Sequence, residues 1–247
     1  MIAIQARITK FEARRMSRNF APVFFALAFP VMMLLIFGGI YGNKPSAQFS
    51  GRGVVDSSVP AYLVLVVAVT GLMSFPLGLA EYRDRKILKR FGVTPAPQGA
   101  FLVAQGLVNL VTSVLGALLL VVVGFAVFGL HSPAHLLFAL GAMILVTIMM
   151  YSIGAVVAAV ARSERSATVA ANVIYFPMIF LSGATIPVAI FPPTMKTIAD
   201  VVPATYGVRL LQDAWLGTGT NVGLDVGVMV AICVACSALA VRLFRWE

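Results

Sequence analysis

Ionisable side chains are scarce in this sequence. Of its 247 residues, 11% are charged and 60% are hydrophobic, whereas a soluble domain carries about 25% charged residues. With a mean hydropathy of +0.98, a chain of this length has more apolar surface than a water-solvated fold can hide, so its solvent is lipid. Cysteine is nearly absent: Cys233 and Cys236 are the only two. Their C-x-x-C spacing lies in an apolar run without a second ligand pair, which reads as small packing residues and not as a redox or zinc site. Histidine is limited to His131 and His135, and Pro133 between them makes a turn a better reading than a metal site. The sequence has no G-x-x-x-x-G-K-[ST], no G-x-S-x-G, no H-E-x-x-H and no paired carboxylates. It therefore offers no P-loop for ATP and no recognisable hydrolytic centre. A cleavable leader is not expected either, because the opening residues are polar and the apolar run after them is too long.

What the sequence does have is long apolar runs. Six membrane spans are expected, at 20–41, 60–80, 99–130, 135–161, 167–183 and 221–244, each near the length that a bilayer requires. The third exceeds that length and should tilt or project beyond the surface. Pro22 falls near the start and Pro30 in the middle of the first, so a kink is expected there; Pro76 lies near the end of the second. Before the spans, residues 1–19 place Ile4, Ile8 and Phe11 on one helical face and Arg7, Lys10, Arg14, Arg15 and Arg18 elsewhere, the pattern of a helix lying in the headgroup plane. Residues 184–219 hold Pro187, Pro192, Pro193 and Pro203. This stretch is too apolar for a loop and too broken for a span. Its pieces 186–191 and 194–202 are expected to form a re-entrant hairpin on the extracytoplasmic side. The expected fold is an all-α membrane protein of one domain, 1–247.

Between the second and third spans lies a charged island: Glu81, Tyr82, Arg83, Asp84, Arg85, Lys86, Ile87, Leu88, Lys89, Arg90 and Phe91, then Gly92 and Pro95. Ile87, Leu88 and Phe91 share one face, and the Gly-then-Pro order ends a helix, so a short helix is expected over 82–91. It suits either docking on another protein or a solvated loop that fixes topology. Counting Lys and Arg by side gives fourteen with the termini and the island against four opposite, which puts both termini in the cytoplasm. The net charge of +9 thus reflects topology and anionic headgroups, and no nucleic-acid partner is expected.

Mid-span charge is nearly missing: Asp225 lies at the outer end of the sixth span and Glu81 at the inner end of the second. Ion-coupled carriers keep ionisable groups in mid-membrane, so the energy for any transport should enter from outside the bilayer, through the island. An ion-coupled secondary multidrug carrier and a non-transporting membrane scaffold remain the rival readings.

The island, with its Leu88-Lys89-Arg90 and Thr94-Pro95, resembles the segment after the second span of ABC-2-type permeases. Leu181-Ser182-Gly183, Ile186-Pro187 and Pro203-Ala204-Thr205-Tyr206 through Gln212 resemble that family's signature near the fifth span. Ala204 departs from the larger apolar residue usual after that proline. The resemblance covers the whole chain and is to permeases of daunorubicin-resistance and nodulation-factor export. It implies a subunit of a bacterial cytoplasmic-membrane exporter, not itself an enzyme, with no cofactor of its own. ATP and Mg would be held by a separate nucleotide-binding ABC ATPase subunit. A second permease, the same chain or a sister, and membrane lipid would be the other partners. Residues 82–91 would be the coupling helix on the ATPase, with Glu81, Arg14 and Arg15 close by. The cargo would be a hydrophobic or amphiphilic drug, lipid or glycolipid, and its route through the second and fifth spans would be lined by Met73, Phe75, Asn172, Tyr175, Phe176 and Phe180. For each of these six taken singly, ordinary helix packing is the competing reading.

Overall fold

The computed structural model describes residues 2–45, 51–85, 99–185, 191–219 and 221–243. Among these residues the chain is helical, with no strand. The helices are α1 (Ile2–Arg18), α2 (Phe20–Tyr41), α3 (Val54–Asp84), α4 (Gly99–Phe128), α5 (Leu136–Val160), α6 (Glu164–Leu181), α7 (Pro193–Ala199), α8 (Pro203–Leu216) and α9 (Val222–Leu243). Five of them, α2, α3, α4, α5 and α9, are long and apolar enough to cross a membrane. The fifth expected span, 167–183, corresponds to α6, an 18-residue helix that opens on Glu164 and Arg165.

One helix is unlike the rest. In its most apolar window α3 is 83% buried, against 22% for α2, α4 and α9. Helices α2, α4, α5, α6 and α8 enclose it. Lipid is as apolar as a leucine side chain, so this enclosure draws on close packing and internal hydrogen bonds and not on water exclusion.

Proline and glycine set how close the neighbours come. Helices α2 and α3 each contain a π-helical stretch, Phe24–Ala28 and Val69–Ser74, with Pro30 and Pro76 just beyond. In α3 the Phe75 N–H bonds to the Thr70 carbonyl, a five-residue step. The next such bond would be donated by Pro76, which has no N–H. The carbonyl of Gly71 is therefore free to face a neighbour, and it meets the bare Cα of Gly154 on α5. On the other side the Ala26 carbonyl of α2 lies 2.7 Å from where a Cβ on Gly116 of α4 would stand. A widened turn thus lies just before Pro30, in the span where a kink is expected, and another just before Pro76.

Polar groups along α3 are paired across the bundle. Gln105, Asn109 and Ser113 recur every four residues on the buried side of α4. Ser113 Oγ meets Thr70 Oγ1 at 2.5 Å and Tyr151 Oη at 3.3 Å. At the far end Asp56, fully buried, accepts from the His131 backbone N–H at 2.9 Å and pairs with His131 Nδ1 at 2.8 Å. The His131 carbonyl accepts from Trp215 Nε1 of α8, and Gln212 donates to the Ser57 carbonyl. Asp56 therefore ties together the start of α3, the α4–α5 turn and α8.

Two segments are placed in more detail. Residues 2–18 form α1, which packs on the bundle. Gln5 donates to the Ala100 carbonyl, and Thr112 Oγ1 reaches Met16 Sδ at 3.5 Å, so α1 runs beside the first turns of α4 in the same direction. Helix α4 has 30 residues, roughly 45 Å of helix against a core of about 30 Å. Second, residues 194–202 mostly form α7, while α8 was not expected; it is a 14-residue helix that begins at Pro203, ends at left-handed Gly217 and packs on α3, α5 and α9. Residues 186–190 lie outside the described residues.

Gly154→Ala should force α3 and α5 apart and lower stability by about 1–3 kcal/mol. Gly141→Ala on the same helix, where nothing lies within 4 Å of a new Cβ, should be neutral or raise stability by up to about 1 kcal/mol. Thermal unfolding of both variants in detergent checks this, and equal behaviour would remove the close contact from the explanation.

Candidate functional site at the Glu81 end of the buried helix

The end of α3 meets four other helices through four consecutive residues. Glu81 accepts from Arg15 Nη2 of α1, and its other oxygen lies 3.0 Å from Arg85 Nε. Tyr82, 2% exposed, sets its ring 5.5 Å from that of Phe101 on α4, with the Arg15 guanidinium 4.9 Å from the Tyr82 ring centre. Arg83 Nη1 donates to the Ala158 and Ala161 carbonyls at 2.6 and 3.2 Å. Those carbonyls end α5, where a cation complements the helix dipole. Asp84 Oδ2 accepts from the Glu164 backbone N–H at 3.4 Å, which begins α6, where an anion does the same. A movement of this end is therefore communicated to α1, α4, α5 and α6 together.

Arg15 also lies 3.6 Å from Glu12. Glu12 is 2% exposed. Burial raises its pKa above the ordinary carboxylate value, and the nearby Arg15 charge offsets part of that rise. The side of α1 that packs inward therefore carries a carboxylate, while Phe11, expected on the apolar face, is 58% exposed. The sequence reading missed Glu12 as a buried group. It also missed the Gln105, Asn109 and Ser113 seam, whose four-residue spacing was visible.

A cavity of about 270 Å³ opens beside this cluster, lined by Glu12, Arg15, Glu81 and Glu164 at one end and by Phe25, Val69, Met73 and Leu77 along its walls. Gln105 of the seam also reaches it.

The expected contact residues divide accordingly. Arg14 is exposed, while Arg15, Glu81, Tyr82, Arg83 and Asp84 are tied into the bundle. The helix expected over 82–91 is corrected at its start: Tyr82, Arg83 and Asp84 are the last turn of α3, and the helix ends at Arg85. Lys86, Ile87, Leu88, Lys89, Arg90 and Phe91 lie outside the described residues.

The six expected pathway residues are not gathered in one cavity. Met73 lines the cavity above. Phe75 is buried, its ring 5.5 Å from that of Tyr151. Tyr175 is buried and Asn172 half-buried. Phe176 and Phe180, each 51% exposed, lie on the outer face of α6 with Val169 and Val173.

The geometry is that of a helical membrane bundle, and comparison with known sequences gives its class. The model of the ABC-2 type transporter family matches residues 6–216. The chain belongs to that family and is a multi-pass membrane protein. It is 24% identical to the daunorubicin resistance ABC transporter permease protein DrrB1 of Streptomyces coeruleorubidus, over 90% of this chain and 78% of that one. It is 23% identical to the probable multidrug ABC transporter permease YbhS of Escherichia coli K12, over 72% of this chain and 47% of the relative. It is 32% identical to nodulation protein J of Rhizobium leguminosarum bv. viciae, over 44% of this chain and 43% of the relative. The chain thus spans less than half the length of two of these three relatives.

Replacing Arg15 with Ala leaves Glu12 and Glu81 without their shared cation. It should cost about 1–3 kcal/mol of stability, while Arg14→Ala, at an exposed position, should cost under about 0.5 kcal/mol. Detergent thermal melts of the two variants decide this. Because burial favours protonated Glu12 in the folded state, its contribution to stability should fall as pH rises from 4.5 through its raised value. Melts of Glu12→Gln across that range should show a flatter pH dependence than the parent chain.

Proposed function

We propose that this chain is the permease subunit of an ATP-driven exporter in a bacterial cytoplasmic membrane, driven by a separate nucleotide-binding ABC ATPase. The observation that carries the reading is the four-way tie at the end of α3. A helix enclosed by protein, whose end is bonded to four neighbours, converts a push at one point into movement of the whole bundle. The push comes from the ATPase, docked on residues 86–91 and on Arg14 and Arg85. ATP and Mg are held by the ATPase, and nucleotide-driven closure of two such subunits shifts the permease between two states. Both termini are cytoplasmic. Helix α6 serves as a further span, and α7 with α8 returns from the outer side as a re-entrant element.

A second permease, the same chain or a sister, covers the face of α6 that bears Phe176 and Phe180. The cargo is hydrophobic or amphiphilic, in keeping with the drug-resistance and multidrug names of two relatives. Phe75, Asn172 and Tyr175 act from α3 and α6, and Met73 from the cavity.

One observation favours a second reading, an ion-coupled carrier. Asp225 in the first turn of α9 is 1% exposed, and neither carboxylate oxygen has a hydrogen-bond partner among the described residues. Such a group is a place for a coupling ion.

For the exporter reading, Ile87→Asp and Phe91→Asp should abolish co-purification with the ATPase and export, with the chain's melting temperature unchanged. Asp225→Asn should retain ATP-driven export. Normal export by the first two variants would remove the docking role, and loss of export in the third with an intact ATPase complex would favour ion coupling.

A further inference from the structure

The cavity beside the Glu81 end is acid-walled in a protein that is otherwise basic. Among the described residues, Glu12, Glu81 and Glu164 line it, three of the chain's nine acidic residues, against one cation, Arg15. That cation is already engaged, with Glu81 and with Oε2 of Glu12. The other oxygen of Glu12, Oε1, is buried and has no hydrogen-bond partner among the described residues. A buried carboxylate oxygen without a donor is unfavourable, so Glu12 Oε1 is short of a donor where acidic groups outnumber the one lining cation among the described residues. The rest of the lining is mostly apolar, Phe25, Val69, Met73 and Leu77 among it, with Asn19, Ser74 and Gln105 as uncharged polar groups. Phe25 is 45% exposed on the surface of a membrane-crossing helix, so the cavity adjoins the lipid.

We propose that this cavity binds the primary ammonium group of an amphiphile, with the ammonium against Glu12 Oε1 and the apolar body along Phe25, Met73 and Leu77. An anionic head would meet three carboxylates. A neutral apolar molecule would leave Oε1 unpaired. A primary ammonium supplies both the charge and the N–H donors. A volume of about 270 Å³ accepts a head and a few carbons, so a longer chain extends into the bilayer. The site belongs to this chain alone and does not depend on the exporter reading.

The test uses the full purified chain in phosphatidylcholine nanodiscs, whose choline heads carry no N–H. Radiolabelled decylamine binding is measured after subtraction of empty discs, with decyltrimethylammonium and decyl sulfate as competitors. Saturable decylamine binding is expected, with Glu12→Gln weakening it roughly tenfold or more, the loss of one charged hydrogen bond. Decyltrimethylammonium should compete poorly and decyl sulfate not at all. Met73→Trp, which fills the apolar wall and leaves the charges alone, should also reduce binding. Thermal melts establish that each variant is folded. Replacing half of the lipid with phosphatidylethanolamine tells the two sources of such a head apart: lost decylamine binding marks a membrane lipid as the occupant, and unchanged binding marks a free amphiphile. Equal binding to folded Glu12→Gln and parent chains, or equally strong competition by decyl sulfate, would overturn the proposal.

Discussion

A helix surrounded by protein inside a membrane cannot move without its neighbours, and that constraint governs this molecule. Helix α3 is more deeply enclosed than the other crossing helices. Its two ends are fixed differently. At the Asp56 end a buried carboxylate holds a turn and α8 through hydrogen bonds. At the Glu81 end, charged side chains bind α1, α5 and α6, and an aromatic pair holds α4. The charged groups are concentrated where the helices end, and the middle relies on fit and on the Thr70–Ser113–Tyr151 hydrogen bonds.

That fit comes from residues that look disruptive in isolation. Pro76 withholds a hydrogen bond, a π-turn takes up the mismatch, and the exposed Gly71 carbonyl packs on Gly154. The same pairing of a widened turn and a facing glycine recurs at Ala26 and Gly116. In lipid, where burying an apolar side chain gains little, close backbone approach is a main source of attraction between helices. The small residues therefore determine which helices are neighbours.

How far the fold was legible depended on the range of the signal. Hydropathy is local, so α2, α4, α5 and α9 fall within a few residues of their expected bounds. Helix α3 was read too short because Asp56, Glu81, Arg83 and Asp84 are polar; the groups that tie them to other helices lie 66 to 80 positions away in sequence. No local pattern announces such pairs. Glu12 was missed for a related reason: a glutamate on a basic helix reads as solvated until the packing of α1 against the bundle buries it. Two signals were present and passed over. Gln105, Asn109 and Ser113 repeat at helical spacing, and Pro203 with Gly217 brackets α8 with the usual start and stop residues. The family resemblance was carried by short local motifs, which is why it held where the three-dimensional details did not.

The most direct measurement is solute movement into proteoliposomes that hold the purified chain, with and without its ATPase. With the ATPase and Mg-ATP, uphill movement is expected; without it, an imposed proton or sodium gradient should move nothing uphill. Uphill movement by the chain alone on such a gradient would contradict the reading of a bundle moved from outside the bilayer.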